Sequence, residues 1–209
     1  MIYAIGCHLC RWIARIFFAL SVEGQAHVPE SGPVILAPNH VSYLDPVVVG
    51  ISIRRRVHFM AKKELFRNPL VGWLLHGVQA YPVTRERVDP STLKRTLSLL
   101  AAGQVVLMFP EGTRGDGRML GPAKSGIAVV AARSGAAVVP VFHWGAEQAL
   151  PRGSRRVRRV PIRVRFGPPL RFPAGGRPDR EAVEDFCREL MEAIAALRLP
   201  AGPSILTSR

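Results

Sequence analysis

His40 stands in the run Asn39-His40-Val41-Ser42-Tyr43-Leu44-Asp45, directly after a short apolar stretch. An imidazole can take a hydroxyl proton near neutral pH. A carboxylate such as Asp45 on its second ring nitrogen would fix the tautomer and stabilise the imidazolium, as histidine–aspartate pairs do in acyl transfer. The sequence carries no serine or cysteine nucleophile elbow, so the expected chemistry is direct attack by a substrate hydroxyl. The same residues also fit plain structural roles. Asp45 before Pro46 is good helix-capping chemistry, Ser42 could belong to the same cap, and Asn39-His40 could be turn residues.

Three further clusters could supply binding groups. In Phe109-Pro110-Glu111-Gly112-Thr113-Arg114, Gly112 allows close backbone approach and Thr113 offers a hydroxyl. Arg114 can fork two hydrogen bonds onto a phosphate. Glu111 fits beside a phosphate only if it orients an arginine or a substrate hydroxyl. A glycine-rich turn running on through Gly115-Asp116-Gly117 is the competing reading. The run from Gly77 to Arg85 reads as a strand ending in a cation, and Arg85 could join Arg114 around an anion or be a surface charge. Val138-Val139-Pro140-Val141 is apolar, most simply core, with a potential part in lining an acyl site.

The elements that must position these residues alternate along the chain. Apolar runs over 17–23, 34–37, 57–60, 78–83, 105–109, 137–142 and 162–166 predict strands. Helical patterns over 46–53, 69–75, 90–102, 122–133 and 179–197 lie between or after them. This order predicts an α/β fold: a mostly parallel central sheet flanked by helices. His40 then falls at the C-terminal end of a strand, where open α/β sheets place their ligands. No repeat or linker interrupts the pattern, so residues 1–209 are expected to form one domain, with a loose tail at 198–209.

Residues 2–17 predict an N-terminal amphipathic helix. Its wheel gathers His8, Arg11 and Arg15 on one face and Ile2, Ile5, Leu9, Ile13, Ile16 and Phe17 on the other, as in helices lying in a membrane interface. Docking on the core with arginines facing water is the alternative. Between Arg152 and Arg177 there are nine arginines and no acidic residue. Within that stretch Ile162, Val164 and Phe166 alternate with Arg163 and Arg165, which predicts a half-buried strand with a cationic outer face. Pro161 favours placing it at a sheet edge.

The 29 Lys and Arg against 15 Asp and Glu give a net charge of +14 over 209 residues, which calls for an anionic partner. Exposed aromatics of the kind that stack on bases are sparse in the arginine stretch, so phospholipid headgroups fit better than nucleic acid. The three cysteines cannot build a disulfide framework. Cys7-His8-Leu9-Cys10 lacks a second ligand pair for zinc, so no metal is expected. No run reaches the ~20 apolar residues needed to span a bilayer, and no leader pattern is visible. The protein is expected at the cytoplasmic face of the cell membrane, as a peripheral or monotopic protein.

Taken in order, the motifs N-H-x-S-x-x-D, A-K-x-E-L-F-x-x-P-x-x-G, G-x-x-x-x-P-V-x-R, F-P-E-G-T-R and V-P-V resemble one family. It is the lysophospholipid acyltransferases typified by 1-acylglycerol-3-phosphate acyltransferase, and the resemblance runs from about Val22 to Phe166. It implies transfer of a fatty acyl group from an acyl-CoA or acyl-carrier-protein thioester, a co-substrate, to a lysophospholipid hydroxyl, with no other cofactor. By position, His40 would be the general base and Asp45 its partner. Arg85, Glu111, Gly112, Thr113 and Arg114, with Lys62, would form the acceptor's phosphate site, and Pro140 and Val141 would line the acyl end. Lys124 and Gly126 match the pattern too, in a binding or a structural role. Fewer residues precede the histidine motif than in many bacterial relatives, so membrane attachment would rest on the 2–17 helix and the arginine-rich surface.

Overall fold

The computed structural model describes residues 2–67, 69, 72, 79–83, 90–154, 156–173 and 178–198, with side chains from Cys10 onward except Lys62 and Leu65. Seven strands, β1 (Ser21–Glu23), β2 (Val34–Pro38), β3 (Val57–Lys62), β4 (Ala80–Val83), β5 (Val105–Leu107), β6 (Ala137–Trp144) and β7 (Arg163–Phe166), form one sheet. Its order is β1-β7-β6-β2-β5-β3-β4. The ladders are parallel except between β6 and β7. The described helices are α1 (Ile2–Phe17), α2 (Asp45–Ile51), α3 (Pro90–Ala101), α4 (Ser125–Ser134), α5 (Ala146–Ala149) and α6 (Arg180–Ala196). The fold is therefore α/β, with a mostly parallel sheet flanked by helices.

β2 lies at the centre because it is apolar on both faces, as a strand covered from both sides must be. Val34 and Leu36 join one core with Val48 and Val49 of α2. Ile35 and Ala37 join the other with Leu100 of α3, Ile127 and Ala131 of α4, and Leu190 and Ile194 of α6. Its register against β5 and β6 pairs Leu36 with Leu107 and Pro38 with Val141. The chain therefore leaves the sheet at Asn39-His40, just past the end of β5 on one side and beside the last residues of β6 on the other.

A proline inside β6 is unusual for a strand with neighbours on both sides. Val138 pairs with Leu170, while the ladder to β7 begins at Val141 opposite Phe166. Pro140 stands in the gap, where only its carbonyl is needed, accepting from Gly167 N at 2.9 Å. Val141 has no solvent exposure and Pro140 is buried, so both serve the core.

Several expectations need correction. The arginine-flanked strand β7 is not at an edge: it lies between β1 and β6, and Pro161 precedes its first residue. Its burial alternation holds, with Val164 and Phe166 buried, while Arg165 turns outward to Glu23 Oε2 at 2.7 Å. The first strand is only three residues long because α1 continues through Phe17 and the chain turns at Ala19, where φ is 43°. Arg11 turns toward α2. Its Nε and Nη2 donate to Ile51 O and Ile53 O at 2.8 and 3.0 Å, satisfying carbonyls at the end of α2. That contact turns Trp12, Ile13, Ile16 and Phe17 into solvent. The expected helix over 69–75 falls largely outside the described residues, as does the tail beyond Arg198.

Candidate active site

The loop after β2 folds back on itself around one carboxylate. Asp45 has no solvent exposure, and its Oδ2 accepts from Val41 N at 2.7 Å and Ser42 N at 2.8 Å. The third group on that oxygen is His40 Nδ1, at 2.8 Å. Asp45 is the first residue of α2, and the helix has no side-chain cap. Its carboxylate faces the preceding loop and the histidine, which settles the choice between a helix cap and a histidine partner in favour of the latter. Because Oδ2 can only accept, Nδ1 carries the hydrogen and Nε2 is left with a lone pair, the tautomer a general base needs.

The imidazole has little freedom. It stacks on Phe109 with ring centroids 3.7 Å apart and planes 17° off parallel. Its backbone is held from both ends: His40 N donates to Glu111 Oε1 at 3.0 Å, and His40 O accepts from Gly115 N at 2.8 Å. Glu111 is buried, and its other oxygen accepts from Gly121 N at 3.0 Å. The geometry thus makes Glu111 a brace between the histidine loop and the segment after Arg114, with both oxygens committed to backbone amides.

Around that brace the chain turns sharply. Gly112 adopts φ 70°, a conformation that favours glycine, and Gly112 N closes the turn onto Phe109 O at 3.1 Å. Thr113 is exposed and lines a cleft of about 310 Å³ with Glu111, Gly121 and Lys124. Arg114 lies with its guanidinium carbon 3.6 Å from the centroid of the Tyr43 ring. Its Nη1 is buried and has no hydrogen-bond partner among the described residues. A buried guanidinium nitrogen with its hydrogens unmatched is suited to an incoming anion.

The structure thus brings together His40, Asp45, Glu111, Gly112, Thr113 and Arg114 from two sequence-distant motifs. Pro140 and Val141 sit in the sheet beneath and reach no described cavity. Lys62 closes β3, with its side chain outside the described residues, and Arg85 lies outside them altogether. Sequence reading overlooked the packing behind the pair. His143, buried in β6, places Nε2 at 3.6 Å from Asp45 Oδ1 and at 3.0 Å from Asn39 O. The available signal was a histidine in the otherwise apolar run of β6, matched by an asparagine at the end of apolar β2.

Known proteins share this architecture. Residues 19–144 match a family model described as Acyltransferase. The 1-acyl-sn-glycerol-3-phosphate acyltransferase of Bacillus subtilis (strain 168) is 31% identical over 169 residues, covering 80% of this chain and 82% of that protein. The chloroplastic 1-acyl-sn-glycerol-3-phosphate acyltransferase LPAT1 of Arabidopsis thaliana is 35% identical over 146 residues, covering 68% of this chain, which spans only 40% of the plant protein's length. The crystal structure of the 1-acyl-sn-glycerophosphate (LPA) acyltransferase PlsC from Thermotoga maritima has the same fold, with a TM-score of 0.72 at 20% identity over 95% of this chain and 82% of that one. The sequence match over more than half of the chain establishes that it belongs to the acyltransferase family typified by the 1-acyl-sn-glycerol-3-phosphate acyltransferases.

Proposed function

We propose that this chain transfers a fatty acyl group from an acyl thioester to the sn-2 hydroxyl of lysophosphatidic acid, giving phosphatidic acid. The observation that carries the reading is the buried His40–Asp45 pair, with its Nε2 left as a base beside the Glu111–Arg114 turn. His40 Nε2 removes the hydroxyl proton as that oxygen attacks the thioester carbonyl. The tetrahedral intermediate expels the thiolate, which takes the proton back from the imidazolium and leaves as thiol. Asp45 accepts the Nδ1–H and keeps the imidazole oriented throughout. Arg114, with Thr113 and Arg85, holds the acceptor phosphate, so headgroup binding positions the hydroxyl. Glu111 and Gly112 shape that turn, and Lys62 adds positive charge near it. The donor is an acyl-CoA or acyl-carrier-protein thioester, a co-substrate and not a resident cofactor.

We further propose that the protein works on the cytoplasmic face of an anionic membrane. Among the described residues no helix is long and apolar enough to cross one. Support comes from the exposed Trp12, Ile13, Ile16 and Phe17 of α1 and the arginine loop beside them, where Arg159 Nη2 reaches Ile16 O at 3.4 Å and Val157 is 49% exposed. Apolar groups flanked by guanidinium groups suit a headgroup–acyl boundary.

The test is an activity matrix. Purified protein on anionic vesicles is offered lysophosphatidic acid or other lysolipids, each with acyl-CoA and with acyl-carrier-protein donors. Phosphatidic acid should be the main product, and His40→Ala should abolish turnover without changing the circular dichroism spectrum. Substantial activity in His40→Ala would sink the mechanism, and preference for a lysolipid without a phosphomonoester would reassign the acceptor.

A further inference from the structure

Asp45 presents two oxygens, and the proposed base pair accounts for one. Oδ2 accepts from three donors, whereas Oδ1 is buried without a hydrogen-bond partner among the described residues. The group facing Oδ1 is His143 Nε2, at 3.6 Å, on a side chain with no solvent exposure. That nitrogen is also 3.0 Å from Asn39 O. Both of its neighbours, a carbonyl and a carboxylate, only accept, so Nε2 carries the hydrogen and Nδ1 is the bare nitrogen. The backbone is locked as well. Asn39 Nδ2 donates to His143 O at 3.0 Å, and His143 N donates to Asn39 Oδ1 at 2.9 Å. His143 is thereby tied at three points to the residue that precedes His40.

We infer that His143 is a positioning residue for acyl transfer: its Nε2–H, donated to Asn39 O, pins the residue before His40, and the same polar ring edge faces Asp45 Oδ1 at 3.6 Å. The physical need arises when His40 accepts the substrate proton. The imidazolium then faces a buried carboxylate, and the positive N–H edge of a second imidazole near the far oxygen favours a charged Asp45 beside it. Without His143, Asp45 would keep its three donors on Oδ2, but the Asn39 carbonyl would lose a donor and Oδ1 would lose the polar edge that faces it. The inference rests on the roles proposed for His40 and Asp45.

The test separates a donor from a filler of space. His143→Phe keeps a ring in the core but removes the N–H, while His143→Gln keeps an amide N–H at about the same reach. The expected result is a fall in kcat of about 3- to 10-fold in the Phe variant, the range of one lost hydrogen bond between neutral groups. The acceptor KM should stay within about two-fold, since the phosphate contacts are untouched. The Gln variant should recover most of the loss, and in an Asp45→Asn background the Phe change should cost little more. A Phe variant with wild-type kcat, or a Gln variant as slow as the Phe variant, would overturn the assignment. Should His143→Phe fail to fold, nitrogen-15 spectra of the wild-type imidazoles decide. Nε2 of His143 protonated and Nδ1 bare supports the inference, and the opposite tautomer refutes it. A His40→Ala variant that stays active would instead defeat the underlying reading of the site.

Discussion

On one side of the candidate site, His40 and Asp45 sit among groups that are themselves tied down. Phe109 supports the ring, Glu111 holds the backbone, and Asn39 and His143 close the rear. On the other side, Arg114 rides on an exposed glycine turn, held by the face of an exposed tyrosine and with a guanidinium nitrogen unpaired among the described residues. The contrast matches the roles proposed for the two sides. A proton transfer tolerates little misplacement, so the base is fixed before substrate arrives. A cation that must accept a mobile headgroup works from the surface, because its hydrogen bonds are completed by the ligand. Substitutions on the buried side should therefore act on kcat and on stability together, whereas those on the exposed side should act on the acceptor KM alone.

The largest effect is expected from Asp45→Asn. The amide fills nearly the same volume, but it cannot offer a carboxylate oxygen to three donors and hold His40 Nδ1–H. By the usual loss when a histidine's tautomer is no longer enforced, kcat should fall by roughly 10³- to 10⁴-fold. Melting should also drop, since buried backbone amides lose part of their acceptor, at about 1–3 kcal/mol or several degrees. Steady-state kinetics beside thermal denaturation reads both. A variant that loses activity with an unshifted melting temperature would break the link between the buried side and stability.

Arg114→Ala comes next and should separate the two sides cleanly. Removing a charge-assisted contact to phosphate should raise the acceptor KM about 10- to 100-fold. kcat at saturating acceptor and the melting temperature should change little, because Nη1 has no described partner to abandon. Kinetics with lysophosphatidic acid at varied concentration gives the answer. A fall in kcat at constant KM would move Arg114 from binding to the chemical step.

The residues differ in how far the sequence could have foretold this division. The two-sided sheet could be read in outline because β2, β5 and β6 are short apolar runs, and only a sheet covered on both faces buries those. The placement of β7 could not, since Pro161 before a strand is compatible with an edge or with a first residue, and only the pairing with β1 decides. His40 and Asp45 were legible as a pair because they are close in sequence. Their support was not, because Asn39 and His143 meet only through the β2–β6 register. The direction in which Arg11 points was likewise hidden: a helical wheel shows which residues share a face, not which face docks.

Tyr43 sharpens the comparison most finely, since it belongs to the buried motif by sequence and to the exposed side by position. It lies between His40 and Asp45 in the chain, yet it is 64% exposed, and its ring face carries the Arg114 guanidinium. A cation over an aromatic face is stabilised by the ring's quadrupole and pre-oriented by contact with its plane, an effect of about 0.5–2 kcal/mol at such sites. Tyr43→Leu removes the aromatic face while keeping an apolar side chain, so the acceptor KM should rise about three- to ten-fold. Tyr43→Phe keeps the face and should leave KM near wild type, which excludes the hydroxyl as the active feature. In an Arg114→Ala background, Tyr43→Leu should do nothing more, because the group it orients is gone. An equal effect in that background would mean that Tyr43 touches the acceptor itself. A loss of kcat instead would place it with the buried side, through the loop it shares with His40.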